Sequence, residues 1–158
     1  MEESVRSAEP SDHYVLKILV EGARSELPEK KGGDVVQRLD KYSADPLARV
    51  LNAVEDPLST VLLGAIDGTP VGYGLMTVGR VVDGSLHAVV EELYVDPGAR
   101  SVGVGEIIIE ALTADARSRG AIAIQSLALP GDRATKNFFE SQGMVARSIM
   151  VHRWLDGR

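Results

Sequence analysis

Two Asp-Gly turns constrain this chain more than any other feature of its sequence. Asp67-Gly68-Thr69-Pro70 follows a compact apolar run from Thr60 to Ile66, and Asp83-Gly84 stands where the next run, Val71 to Val82, gives out. Asp-Gly supplies the positive φ of a tight hairpin turn whose twist matches its flanking strands. A third run, Ser85 to Val95, returns after the second turn. The middle of the chain is therefore predicted to be an antiparallel meander of three strands.

Around this meander the periodicity is helical. Val5 to Ala8 reads as a short first strand. Ser11 caps a helix to about Arg24, with Val15, Leu16, Leu19 and Val20 at helical spacing. Pro28 and Gly32-Gly33 mark a loop, a weaker helix follows Asp34 through Val35, Val36 and Leu39, and a short one spans Pro46 to Val54. On the C-terminal side, Val104, Ile107, Ile108, Ala111 and Leu112 form one face of a helix that Gly120 stops. Ile122 to Leu129 is a strand, Asp132 caps a helix to Gln142, and Met144 to Leu155 is a last strand. The strand–helix–strand passage over residues 88–129 adds a parallel crossover to the meander. The expected class is α/β, with a mixed, mostly antiparallel sheet of about six or seven strands and about four flanking helices.

At 158 residues the chain is expected to be a single domain with a core of its own. The absence of cysteine excludes a disulfide framework, a thiolate metal site and a cysteine nucleophile. Seventeen basic against 23 acidic residues, with no basic run beyond Lys30-Lys31, speak against a nucleic-acid partner. No apolar run suits a membrane helix, and Met1-Glu2-Glu3-Ser4 lacks the basic flank and apolar stretch of a signal peptide. These features predict a cytoplasmic protein without a membrane partner. His13, His87 and His152 lie far apart with no metal-ligand spacing, so no metal is expected.

The segment Leu93-Tyr94-Val95-Asp96-Pro97-Gly98-Ala99-Arg100-Ser101-Val102-Gly103-Val104-Gly105 carries the clearest chemistry. A strand ends at Val95 and a helix begins near Gly103. The loop between them is rich in small residues and bears one arginine. Glycines let backbone N–H groups approach a ligand, and a helix N-terminus adds about half a positive charge, so this junction suits a pyrophosphate. It is not a Walker loop, because Gly-Lys-Ser/Thr is absent. It is not a dinucleotide fingerprint either, because Ile108 stands where the third glycine would be.

Arg100-Ser101-Val102-Gly103-Val104-Gly105 resembles the Arg/Gln-x-x-Gly-x-Gly/Ala signature of the GNAT superfamily of N-acetyltransferases, and the preceding Glu92-Leu93-Tyr94-Val95-Asp96-Pro97 is similar to its flank. The stretch Asp132 to Met144 resembles a second motif of that family, a helix carrying Phe-Tyr-Glu and ending in Gly-Phe. The resemblance implies acetyl-CoA as donor, without a metal. It places the pyrophosphate on backbone amides from Ser101 through Val102, Gly103 and Val104 to Gly105, with Arg100 opening the loop. It runs the pantetheine arm beside Leu93, Tyr94 and Val95, in a gap where this strand splays from the next. It divides the domain into acceptor-side helices and first strand (1–59), central sheet with the CoA loop (60–129), and last helix and strand (130–158).

Direct transfer needs a neutral amine, and at a lysine-like pKa of about 10.4 only about one molecule in 10³ is neutral at pH 7. A carboxylate can take that proton. Glu91 and Glu92 are the candidates, since neighbouring strand residues should point to opposite faces and one of them should line the cleft. The family often has a tyrosine, proposed to protonate the leaving thiolate, where this chain has Phe139. A thiol of pKa about 8.5 leaves as thiolate at pH 7 for only about 2 kcal/mol, so its loss should slow the reaction without forbidding it. Asp132 replaces a common asparagine and is an equally competent cap. Ser101 replaces a frequent glycine and is expected to avoid a positive φ. Asn137 reads either as a contact to the CoA arm or as a polar face residue. The expected function is acetyl transfer to a primary amine, of a small molecule or of a peptide or protein, by direct attack in a ternary complex. The alternative is an acyl-CoA-binding sensor or scaffold with impaired catalysis. A homodimer is compatible with either.

Overall fold

The computed structural model describes residues 1–40, 44–129 and 132–158. Among them the order is β1 (Glu3–Ser7), α1 (His13–Glu26), α2 (Gly33–Leu39), α3 (Pro46–Glu55), β2 (Ser59–Ile66), β3 (Thr69–Arg80), β4 (Leu86–Val95), α4 (Val104–Ser118), β5 (Ala123–Ser126) and α5 (Arg133–Ser141). The sheet runs β1-β2-β3-β4-β5 in space, antiparallel throughout except for the parallel pairing of β4 with β5. Both hairpins turn where Asp-Gly stands, with Gly68 at φ 78° and Gly84 at φ 84°. The α/β class and the mixed, mostly antiparallel sheet are as predicted.

The element counts are not as predicted. Five strands and five α-helices form among the described residues, where about six or seven strands and about four helices are expected; α2 and α3 form where the sequence places them, and no strand forms over Met144 to Leu155. That segment has no alternation that would bury one face: Ile149, Met150 and Val151 are contiguous and exposed. Trp154 lies instead against the guanidinium groups of Arg38 and Arg158. The strand expected over Ile122 to Leu129 shrinks to four residues, leaving Ile122 and Leu127 exposed at its ends.

The sheet has a core on each face. On one, Leu62, Met76, Val78, Ala88 and Val90 pack against Ile108, Ile109, Leu112 and Phe139 of α4 and α5. On the other, Val61, Leu63, Tyr73, Leu75 and Tyr94 pack against Leu16, Leu19 and Val20 of α1 and Val50 of α3. Glycines set how closely the helices approach. A Cβ on Gly74 would stand 2.6 Å from Ile108 Cγ2, and one on Gly22, inside α1, 2.5 Å from the Tyr94 hydroxyl. The second contact brings α1 against the end of β4, where the site lies.

The chain entry to α1 is fixed electrostatically. Arg6 donates from Nη1 and Nη2 to the two Asp12 oxygens at 2.7 and 2.8 Å, and the Glu9 amide donates to Asp12 Oδ2 at 2.8 Å. The arginine bond, opposed by burial, holds the Asp12 carboxyl down at about 2. A depressed folded-state pKa stabilises above the unfolded value and is lost as pH falls, so this contribution should fade between about pH 4 and pH 2. The Arg6 side chain is 52% exposed, which screens the pair. Asp12→Asn is expected to cost about 1 kcal/mol at pH 7. The gap in melting temperature between variant and wild type should close towards pH 2; a gap independent of pH would refute this account.

Candidate active site

β4 pairs with β5 only from His87 to Val90, and Ser126 Oγ donates to the Val90 carbonyl at 3.0 Å on the last rung. Beyond it the strands part. A cleft of about 500 Å³ opens there, lined by Glu91 to Val95 on one side and by Ser126, Leu127 and Leu129 on the other. The end of α1, the loop before α4 and the start of α5 complete its walls, through Arg24, Glu26, Arg100, Ser101, Gly105 and Asp132 among others.

At the donor end, Gly103 is the N-cap of α4 at φ 95° and, having no side chain, offers no cap to the first turn. The first N–H groups of a helix have no acceptor within it, so this end can take a phosphate. A Cβ on Gly105 would lie 3.4 Å from the Phe138 ring and 3.8 Å from Val95 Cγ2, so the missing side chain keeps a slot open between them. These features fit a pyrophosphate followed by a narrow arm. Arg100 opens the loop, donates from Nε to the Val95 carbonyl at 2.8 Å and pairs with Glu26 at 2.6 Å. Val104 is buried and Val102 packs on the core, so both bring backbone rather than side chain to the loop.

Ser101 departs from expectation, since its φ is +66°, in the left-handed region. The backbone must reverse between Arg100 and Gly103 to present its amides, and this imposes the geometry whatever residue is present. That conformation costs an L-residue roughly 1–2 kcal/mol, against roughly 0.5–1 kcal/mol for the extra entropy of glycine. Ser101→Gly is therefore expected to be neutral to stabilising, by up to about 1 kcal/mol, read as a melting temperature unchanged or raised by about 2–4 °C. A clear drop would show that the hydroxyl has a role of its own.

The acidic pair also corrects the simple strand rule. Met76 pairs with Val90 but Leu75 pairs with Glu92, so Glu91 is the extra residue of a β-bulge. Ala88 and Val90 on one side of the bulge, and Leu93 and Val95 on the other, all face α4. The parity of the strand therefore changes at Glu91, and Glu91 and Glu92 turn to the same side, towards α1 and α3. Arg49 of α3 meets both, Glu91 Oε2 at 3.0 Å and Glu92 Oε2 at 4.0 Å.

The two carboxylates differ in surroundings. Glu91 is 31% exposed, and its Oε1 accepts from Thr77 Oγ1 at 2.9 Å. Glu92 is 11% exposed; its Oε1 accepts from Tyr73 OH at 2.9 Å and from Arg24 Nη2 at 3.2 Å. Its Oε2 is buried without a hydrogen bond. Burial pushes the Glu92 carboxyl above the usual range, against the opposing pull of Arg24, the Tyr73 bond and Arg49. Tyr73 is itself raised well above the usual phenol, by burial and then by the charge of Glu92.

The cleft brings together most of the residues read from the sequence. Glu91, Glu92, Leu93, Tyr94, Val95, Arg100, Ser101, Gly105, Asp132 and Phe139 line it. Asp132 caps α5, accepting from the Thr135 amide at 3.2 Å, and pairs with Lys30 at 3.2 Å. Asn137 is exposed on α5 and is not among the cleft-lining residues, which favours the polar-face reading. The sequence reading passed over Arg24, Asp40 and Arg49, which come from three acceptor-side segments and gather at Glu92. Asp40 stands 3.8 Å from Arg24 and 4.0 Å from Arg49. Among the described residues, no group of three or more metal-ligating side chains could hold an ion, and no helix is long and apolar enough to cross a membrane.

A sheet that splays beside the N-terminus of α4 opens a cleft with an anion-binding end and an acidic pair at its fork. The sequence model described as the Acetyltransferase (GNAT) family matches residues 23–144. The chain belongs to that family, whose members transfer acetyl groups from acetyl-CoA. Among solved structures, a tetramutant of the BH1408 protein from Bacillus halodurans is similar, with TM-score 0.81 and 21% identity over 96% of this chain and 99% of that one. An aminoglycoside acetyltransferase from an uncultured soil metagenomic sample, in complex with sisomicin, has TM-score 0.71 and 15% identity, over 99% and 97%. A ribosomal-protein-alanine N-acetyltransferase from Brucella melitensis biovar Abortus 2308 has TM-score 0.71 and 18% identity, over 98% and 100%. These likenesses show the fold. No curated protein matches the chain.

Proposed function

We propose that this protein transfers an acetyl group from acetyl-CoA to a primary amine by direct attack in a ternary complex, with Glu92 as the general base. One observation carries the reading: Glu92, 11% exposed, lines the cleft where β4 and β5 part, with Tyr73 and Arg24 converging on its Oε1, and its desolvation favours the protonated form. A base whose pKa moves up towards the working pH takes a proton from an ammonium more readily than an ordinary glutamate. Glu91 is the rim partner, held by Thr77 and Arg49.

When bound, acetyl-CoA supplies an acetyl thioester. Ser101 to Gly105 hold its pyrophosphate through backbone amides, with Arg100 beside them, and Leu93, Tyr94 and Val95 flank the arm. Asp132 fixes the start of α5 at the opposite wall, and Phe139 closes the apolar side. Glu92 removes the acceptor's extra proton and frees the nitrogen lone pair. As the C–N bond forms and the C–S bond breaks, the leaving sulfur takes the bonding pair. Glu92 passes the first proton to solvent, and the nitrogen then loses its second proton, which reaches the thiolate through solvent, to give the neutral amide and CoA. Phe139 cannot protonate that sulfur. Tyr73 and Tyr94 both line the cleft, and the Tyr73 hydroxyl is committed to Glu92.

Structural neighbours named for an aminoglycoside and for a ribosomal-protein alanine support an amine acceptor of either small or protein origin. The test is thermal stabilisation by acetyl-CoA, followed by CoA release across a panel of small amines and peptides. Saturation at about 100 times Kd should add about 2.7 kcal/mol of stability. Release with one class of amine would identify the acceptor, whereas stabilisation without release from any amine would overturn the catalytic assignment.

A further inference from the structure

The reading of Glu92 as base leaves a physical question in its surroundings. A carboxylate removed from water reverts to the neutral acid unless charges or donors hold it ionised, and a neutral acid cannot take a proton. Each element packed on Glu92 brings a group to it. Arg24 comes from α1 at 3.2 Å, Arg49 from α3 at 4.0 Å, and Tyr73 donates from β3 at 2.9 Å. Asp40, at the end of α2, opposes them, and Glu91 precedes Glu92 on its own strand. Arg24 differs from Arg49 in where it is committed. Arg49 lies closer to Glu91, at 3.0 Å, than to Glu92. Arg24 makes a direct hydrogen bond to Glu92 Oε1, the oxygen that Tyr73 also holds. Two donors converging on one oxygen hold the carboxylate in place, and its second oxygen is buried on the side of Arg49.

We propose that Arg24 is a positioning residue for acetyl transfer: its guanidinium clamps Oε1 of Glu92 together with Tyr73 and keeps the base ionised. The inference rests on the assignment of Glu92 as base, and the sign of its effect follows from charge. Removing a cation beside a buried carboxylate raises the pKa of that carboxylate, so the fraction ready to act falls at the acid end of the range.

The experiment measures kcat and KM against pH for wild type, Arg24→Gln, Arg24→Lys and Arg49→Gln. In parallel, the Glu92 carboxyl is titrated by carbon NMR in the free protein, its signal assigned by its loss in Glu92→Gln. Arg24→Gln should move the acid limb of kcat/KM, and the NMR titration with it, upwards by at least about one pH unit. Arg24→Lys should restore most of the limb. Arg49→Gln, whose folding does not depend on the Arg24 contact, should move both in the same direction by less. An NMR titration that does not move in a folded Arg24→Gln protein overturns the proposal. If the titration moves while the kinetic limb stays in place, Arg24 holds Glu92 but Glu92 is not the base, and the functional reading fails instead. If Arg24→Gln does not fold, a null effect of Arg49→Gln on the titration would refute charge control of Glu92 by these arginines.

Discussion

Replacing Glu92 by glutamine is expected to lower kcat by about 10²- to 10⁴-fold while leaving the KM for acetyl-CoA nearly unchanged. Glutamine keeps the shape of the side chain but has no basic lone pair of the required strength, so the loss should appear in the chemical step. The acid limb of the pH profile should disappear with it. Glu91→Gln should cost less than about tenfold, because Glu91 already spends its oxygens on Thr77 and Arg49 at the rim. Glu92→Gln also takes from the Arg24 guanidinium its nearer charged partner, leaving Asp40 at 3.8 Å, so melting curves must accompany the kinetics. A Glu92→Gln enzyme within a few-fold of wild type, beside a Glu91→Gln enzyme that is nearly dead, would transfer the role to Glu91.

The second large effect is expected on donor binding. Gly103→Asp should weaken acetyl-CoA by about 100-fold or more, which corresponds to about 3 kcal/mol. A carboxylate at the N-terminus of α4 competes for the same amides as the pyrophosphate and repels it. The new side chain would also start 3.7 Å from Glu3 Oε1, adding a second like charge. Gly103→Ala separates charge from strain. Aspartate tolerates the left-handed region better than alanine does, so at φ 95° alanine should destabilise the fold more and aspartate should damage binding more. The measurement is the rise in melting temperature with acetyl-CoA for the three proteins. A Gly103→Asp protein stabilised as strongly as wild type would remove the pyrophosphate from this loop.

The features legible in advance are those written in neighbouring residues. The two Asp-Gly turns fixed the order and antiparallel sense of the meander because a tight hairpin requires what that dipeptide supplies. The helical spacing from Val104 to Leu112 placed the face of α4, and Gly103 with Gly105 marked a junction where only backbone can meet a ligand. The same local reasoning misplaced Ser101, because its φ is imposed by the path of the loop. It also extended a last strand over Met144 to Leu155, where β-prone residues are present but no buried face receives them.

What the sequence determined by itself was the meander, the helix that follows it and the glycine-bearing loop between them, since each depends on contacts or torsions within a few residues. Only the tertiary structure decided which way the acidic pair points and what surrounds it. A bulge is a mismatch of register between two strands, invisible in either one, and it turned Glu91 and Glu92 to the same side. Arg24 meets Glu92 across 68 positions of chain, and Arg49 arrives from a different helix. Burial and opposite charge are set by such distant partners, and these are what distinguish two adjacent glutamates from each other.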